Sequence, residues 1–156
     1  MNTIKVHDTV EVTYPDCLTL LSEEERQAMN FAKAGEGYVL KNDDLHIMIS
    51  IACLKLNWFT NLLSASDLRR SAVKNLEKLM RQYFFKPLRF MDHKIGEELG
   101  QGFAYEYQNK GIDMYGETYV FKKDKMAYYF HFYTRKECTE EALVIWNELL
   151  DGVKSL

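Results

Sequence analysis

Aromatic residues and one histidine recur at every second position in two stretches of this sequence: Phe103, Tyr105 and Tyr107 in the first, Tyr129, His131 and Tyr133 in the second. In an extended chain alternate residues share a face, so each set forms a row. Glu117 sits in a third alternating run, 112–122. If the hairpin after that run turns on the three residues 123–125, Tyr119 falls opposite Tyr129, Glu117 opposite His131 and Tyr115 opposite Tyr133. A carboxylate beside an imidazole raises its pKa or orients it as a base. Tyr105, Glu117, Tyr119, Tyr129, His131 and Tyr133 are therefore a candidate pocket for a polar small molecule. The competing reading packs a helix on the same face, with tyrosines at its half-wet margin. A shift of one residue in the turn separates Glu117 from His131.

Charge supplies the second candidate. Between Asp67 and Ile95 stand eight cations, Arg69, Arg70, Lys74, Lys78, Arg81, Lys86, Arg89 and Lys94, against the acids Asp67, Glu77 and Asp92. Arg69, Arg70, Lys74 and Lys78 fall away from the apolar stripe of a predicted helix, where they would meet an acidic protein partner. The alternative is a solvated helix face with Glu77–Arg81 as an ordinary i,i+4 pair. The whole chain carries a net charge of −3 with a pI near 5.8, and no nucleic-acid signature accompanies the basic stretch, which argues against a nucleic-acid partner.

Nucleophiles, metals and cofactors find little support. His7, His46, His93 and His131 share no ligand spacing with each other or with Cys17, Cys53 and Cys138, so no metal is expected. Cys138 lies near a helix start, where a thiolate is favoured, but a thiol without a base is not a catalytic arrangement. No phosphate-binding or nucleophile-elbow motif occurs. The expectation is no catalytic residue, no cofactor and no enzyme.

The elements that must position these residues follow from the pattern. With 156 residues, 47% of them hydrophobic, the chain is near one ordinary domain and buries roughly 70% of its unfolded surface. Residues 1–156 read as a single domain. Val10–Tyr14 alternates and stops at Pro15. Ser22 and Glu25 have capping-box spacing, which predicts a helix from about Glu23 to Lys33 ending at Gly35. Strands at 37–41 and 45–55 flank the turn Asn42-Asp43-Asp44, and the second is apolar on both faces, hence central. Ser64 or Ser66 caps a helix from about Asp67 to Phe84 with the stripe Leu68, Ala72, Leu76, Leu79, Met80 and Tyr83. Strands follow at 88–95, 101–108, 112–122 and 126–135, with 96–102 as a loop. Thr139 caps a last helix whose buried stripe runs through Ala142, Ile145, Trp146, Leu149, Leu150 and Val153.

Strands joined by tight turns cannot be parallel, and two apolar faces need cover on both sides. The expected class is α+β: a three-layer α/β/α sandwich around a mostly antiparallel sheet of about six or seven strands, with three helices. An open cone of the cystatin or nuclear-transport-factor-two type is the alternative, separated by whether one or both faces are covered. Three cysteines without pairing pattern, an N-terminus without an apolar leader run, and no stretch of about 20 apolar residues point to a cytoplasmic protein without a membrane span.

The stretches VEVTYPDCLTLLSEEE, GYVLKNDD, LHIMISIACLK and MYGETYVFKKDKMAYYFHFYTRKECTEEALVIWNELLDGVKSL resemble the PsbP-like superfamily. That superfamily includes the Ran-binding nuclear-transport factor of the Mog type, plant proteins that attach to photosystem II, and many bacterial proteins. The resemblance covers most of the chain through structural motifs and implies an antiparallel sheet between helices and a non-enzymatic binding role. No residue of either known partner surface matches here, and the bacterial branch is the expected relative. The functional expectation is a non-catalytic protein-binding or adaptor module. A ligand or enzymatic pocket around His131 and Glu117 is the alternative, and a structural homodimer paired along a strand edge is a third.

Overall fold

The computed structural model describes residues 1–29 and 37–156. Among these residues ten strands and three helices follow one another as β1 (Asn2–Val6), β2 (Val10–Tyr14), β3 (Thr19–Leu20), α1 (Glu23–Ala28), β4 (Gly37–Asn42), β5 (Ile47–Lys55), α2 (Ala65–Leu79), β6 (Lys86–Ile95), β7 (Glu98–Asn109), β8 (Ile112–Lys123), β9 (Met126–Arg135), α3 (Thr139–Asp151) and β10 (Val153–Ser155). Seven strands form one sheet in the order β3-β4-β5-β9-β8-β7-β6, and β1-β2-β10 form a second. Every pairing is antiparallel. The large sheet carries α2 on one face and α3 with the small sheet on the other, so the expected α+β layering is present and the open cone is not.

Local chemistry accounts for the helix starts. Ser22 and Glu25 close the expected capping box, with Glu25 N–H donating to Ser22 Oγ and Ser22 N–H to Glu25 Oε1. Ser64 and Asp67 do the same for α2, which sets its start at Ala65. The expected end of α1 at Lys33 and Gly35 lies outside the described residues. α2 stops at Leu79 and not at Phe84, because a 3-10 turn at Arg81–Tyr83 and a left-handed Phe84 (φ 58°) redirect the chain. Thr139 is the first residue of α3 and not its cap, its hydroxyl donating to the Lys136 carbonyl at 2.7 Å.

Three further expectations are corrected. Residues 98–102 belong to β7, since the β6–β7 turn is made tightly at Gly96, which sits at φ +63°. Val153 leaves the helix and pairs with Val12 in β10, while β1 and β3 were not expected. Most consequential, the β8–β9 hairpin turns on Asp124 and Lys125 alone, both left-handed (φ 51° and 63°). Two-residue turns of this kind match strand twist. The register therefore pairs Thr118 with His131, Glu117 with Phe132, Tyr119 with Phe130 and Tyr115 with Thr134. Glu117 and His131 point to opposite faces of the sheet, and the expected pair does not exist.

The main core lies on the α3 face. Trp146, Phe130, Phe132, Tyr128, Phe121, Leu149 and Leu150 are fully buried there, with Trp146 stacked on Phe132 at 5.1 Å between ring centroids. On the α2 face a smaller cluster joins Leu68 to Val120 and Ala127.

Candidate functional site

The corrected register divides the six pocket candidates between the two faces. Glu117 and Tyr119 lie under α3, and Tyr105, Tyr129, His131 and Tyr133 lie on the side of α2. Under α3, Glu117 is 4% exposed and accepts hydrogen bonds from Tyr115 Oη (2.5 Å) and Trp146 Nε1 (3.0 Å). Burial holds its carboxyl above the ordinary carboxylate range, against the pull of those bonds and of Arg89 and His93. Arg89 Nη2 donates to the Tyr115 hydroxyl at 3.1 Å. With a donor on each oxygen and full enclosure, Glu117 is a structural acceptor that fixes the Trp146 indole.

On the other face His131 lies half-buried in β9, flanked across the ladder by Thr118 and Ser50. Its Nδ1 is 2.7 Å from Thr118 Oγ1. Burial pushes its pKa down to about 4, so the imidazole is neutral at pH 7. Tyr129 lies nearly parallel to it, centroids 6.2 Å apart. Tyr105, pushed up to about 12 by burial, packs with Phe103 and Tyr107. Its ring lies directly over Gly116, where a Cβ would come within 2.5 Å of the phenol ring, so Tyr105 fills the space over β7 and β8. Burial also raises Tyr129 and Tyr133.

Among the described residues, nothing comparable fills the space over β9 and β5. Helix α2 is clamped on its β6–β7 side: Arg69 Nη1 is 3.3 Å from Asp92 Oδ1 and 3.4 Å from the Gly102 carbonyl, and its guanidinium lies 4.4 Å over the Phe90 ring. On its other side α2 presents Ser71, Ala72 and Asn75, and the sheet answers with Ala52. Short side chains on both walls leave a cleft of about 360 Å³, bordered by Leu54, Leu76 and Leu79 and floored by Tyr129 and His131. A lining in which Ala52, Leu54, Ala72, Leu76 and Leu79 surround a few polar groups, Ser71, Asn75, Tyr129 and His131, suits a small ligand. A larger hollow of about 560 Å³ beside α3 is lined by the exposed Asn147, Glu148, Asp151 and Lys154 and has no such floor.

The basic helix separates in the same way. Arg69 is an internal clamp with a side chain only 14% exposed, Arg70 pairs with Asp67 at 3.5 Å, and Lys74 and Lys78 are exposed. The four do not form one continuous surface. His131 and Tyr129 of the expected pocket border the cleft, whereas Ala52, Ser71 and Ala72 carried no such signal in the sequence. The cleft is made by missing bulk, and a missing side chain gives no signal until the facing residues are known. Among the described residues no group of three His, Cys, Asp or Glu could hold a metal ion, and no helix is long and apolar enough to cross a membrane.

The fold is of the PsbP type. It is similar to the cyanobacterial PsbP (CyanoP) of Synechocystis sp. PCC 6803, with a TM-score of 0.66 and 11% identity over 96% of this chain and 88% of that one. LpqN, involved in cell envelope biogenesis of Mycobacterium tuberculosis, follows at 0.62 and 13% identity over 94% and 82%. A Bacteroides thetaiotaomicron protein gives 0.63 and 13% identity over 98% of this chain and 47% of its own length. No protein-family model and no curated protein sequence matches the chain.

Proposed function

We propose that this chain is a non-catalytic binding module whose ligand, a small and largely apolar molecule with one hydrogen-bonding group, lies in the cleft between α2 and strands β5 and β9. The observation that carries the reading is the combination of short-chain walls with a half-buried histidine on the floor. A neutral imidazole in an apolar cleft anchors a single hydroxyl, amide or carboxyl and leaves the remaining contact area to dispersion and burial. Thr118 and His131 have the spacing of a nucleophile and base, yet Thr118 is 0% exposed. It orients the ring and cannot reach a substrate, which supports binding without turnover.

A second reading, an acidic protein partner on Arg70, Lys74 and Lys78, is favoured by the exposure of Lys74 and Lys78. Reversing Arg70 and Lys74 to Glu would abolish capture of such a partner without changing the melting temperature. We read the compartment as the cytoplasm of a bacterium, on the strength of an odd count of three cysteines without CxxC spacing.

A thermal-shift screen with medium-chain alcohols, amides and carboxylic acids tests the cleft. A compound at 100 times its Kd adds about 2.7 kcal/mol of stability. The expected hit stabilises the wild type and leaves Ala72→Trp, whose indole fills the cleft, unmoved. Equal shifts in both proteins, or none in either, would remove the cleft from consideration.

A further inference from the structure

Where β5 leaves the sheet, the chain projects large apolar side chains from a rigid mount. Trp58, Phe59 and Leu62 are 72%, 66% and 74% exposed, and the two rings stack at 4.1 Å. Their backbone is held from several sides. Asn57 N–H donates to Thr60 Oγ1 at 3.0 Å and Thr60 N–H to Asn57 Oδ1 at 2.8 Å. Lys122 Nζ donates to the carbonyls of Asn61 and Leu63 at 2.7 and 2.8 Å. Leu56 N–H donates to the Lys125 carbonyl at 2.9 Å, which ties the segment to the β8–β9 turn.

That turn and the end of β5 bring Lys55, Lys123 and Lys125 to the same end of the sheet, as the pairing of both Lys55 and Lys123 with Met126 requires. Lys55 and Lys125 are exposed, and Asp124 is the one acid of the turn. Apolar clusters held in water mark contact surfaces. An acidic protein matches the lysines alone. An anionic bilayer matches both features, because apolar depth lies directly behind its charged surface: indoles sit at headgroup level, aliphatic chains enter below, and ammonium groups meet phosphates.

We propose that Trp58, Phe59 and Leu62, with Lys55, Lys123 and Lys125 at the same end of the sheet, dock this protein peripherally on an anionic lipid surface. The sequence contains its own probe: of the two tryptophans, Trp146 is fully buried, so any change of emission on lipid addition reports Trp58. With vesicles of phosphatidylcholine and phosphatidylglycerol the protein is expected to co-sediment, with blue-shifted emission that salt reverses. Vesicles of phosphatidylcholine alone should leave it in solution. Phe59→Ser with Leu62→Ser should abolish the shift, and Lys55→Gln with Lys125→Gln should weaken partitioning about 25-fold. Both double variants should melt like the wild type, since every altered side chain is exposed.

Failure to bind anionic vesicles would overturn the proposal, as would binding that survives Phe59→Ser with Leu62→Ser. A blue shift that grows with protein concentration in the absence of lipid would assign the patch to a second copy instead. Binding to poly-glutamate as tight as to vesicles would assign it to an acidic polypeptide.

Discussion

The two faces of the large sheet start from the same strands and end differently. Under α3, every position along β8 and β9 that points inward carries a large side chain or a satisfied polar one: Tyr115, Glu117, Tyr119 and Phe121 meet Phe130, Phe132 and Trp146. Under α2, the inward positions of β5 and the facing turns of the helix carry Ala52, Ser71, Ala72 and Asn75, and a cleft remains. The carboxyl of one face and the imidazole of the other differ in the same way. Glu117 is enclosed with a donor on each oxygen, whereas His131 borders open space and has a neighbour fixing only Nδ1. Side-chain volume at a few positions, and not the strand framework, decides which face is core and which can take a ligand.

The comparison is broken most severely by Trp146→Ala. A fully buried indole stacked on Phe132 and bonded to Glu117 should cost about 4 kcal/mol on removal, read as a lower denaturant midpoint. No single truncation lining the α2 cleft should approach that. The same enlargement on each side sharpens the contrast. Ala142, at 0% exposure on the α3 face, should lose about 2 kcal/mol when changed to Leu through overpacking. Ala72→Leu, facing the cleft, should stay within about 0.5 kcal/mol of the wild type. Equal losses would mean that the cleft is not open space.

Acid separates the faces next. His131 titrates near 6.5 in the unfolded chain and near 4 in the fold, so between those values the unfolded chain binds the extra proton. Stability is untouched above about pH 6.5, falls as the pH drops toward 4, and levels off below. After allowance for screening by the open cleft, the loss is about 1–2 kcal/mol. The difference between wild type and His131→Gln across that window should isolate it. A difference independent of pH would place His131 in an environment as wet as the surface.

How much of this was legible in the sequence depends on the length scale of each feature. The capping box at Ser22 and the alternation of β5, β8 and β9 are local, and they could be read directly, while the cap of α2 was narrowed to Ser64 or Ser66. The central position of β5 also followed, because apolar residues on both its faces require cover on both. The Glu117–His131 pair failed for a single reason. Lys123-Asp124-Lys125 has no glycine to announce left-handed residues, so a three-residue turn and the observed two-residue turn on Asp124 and Lys125 read alike, and one residue of register exchanges the faces. The basic helix failed at Arg69, whose partners Asp92, Phe90 and Gly102 come from strands more than twenty residues away. The cleft was least legible, since Ala72 reads as part of an apolar stripe until the facing Ala52 is known.

The most direct test of an open α2 face beside a sealed α3 face is a nuclear magnetic resonance titration with a small apolar alcohol such as hexanol. Saturable shifts at Ala52, Ala72 and the His131 ring, with the Trp146 indole N–H unmoved, are the predicted result. Shifts centred on Trp146, or none that saturate at Ala52 and Ala72, would contradict the account.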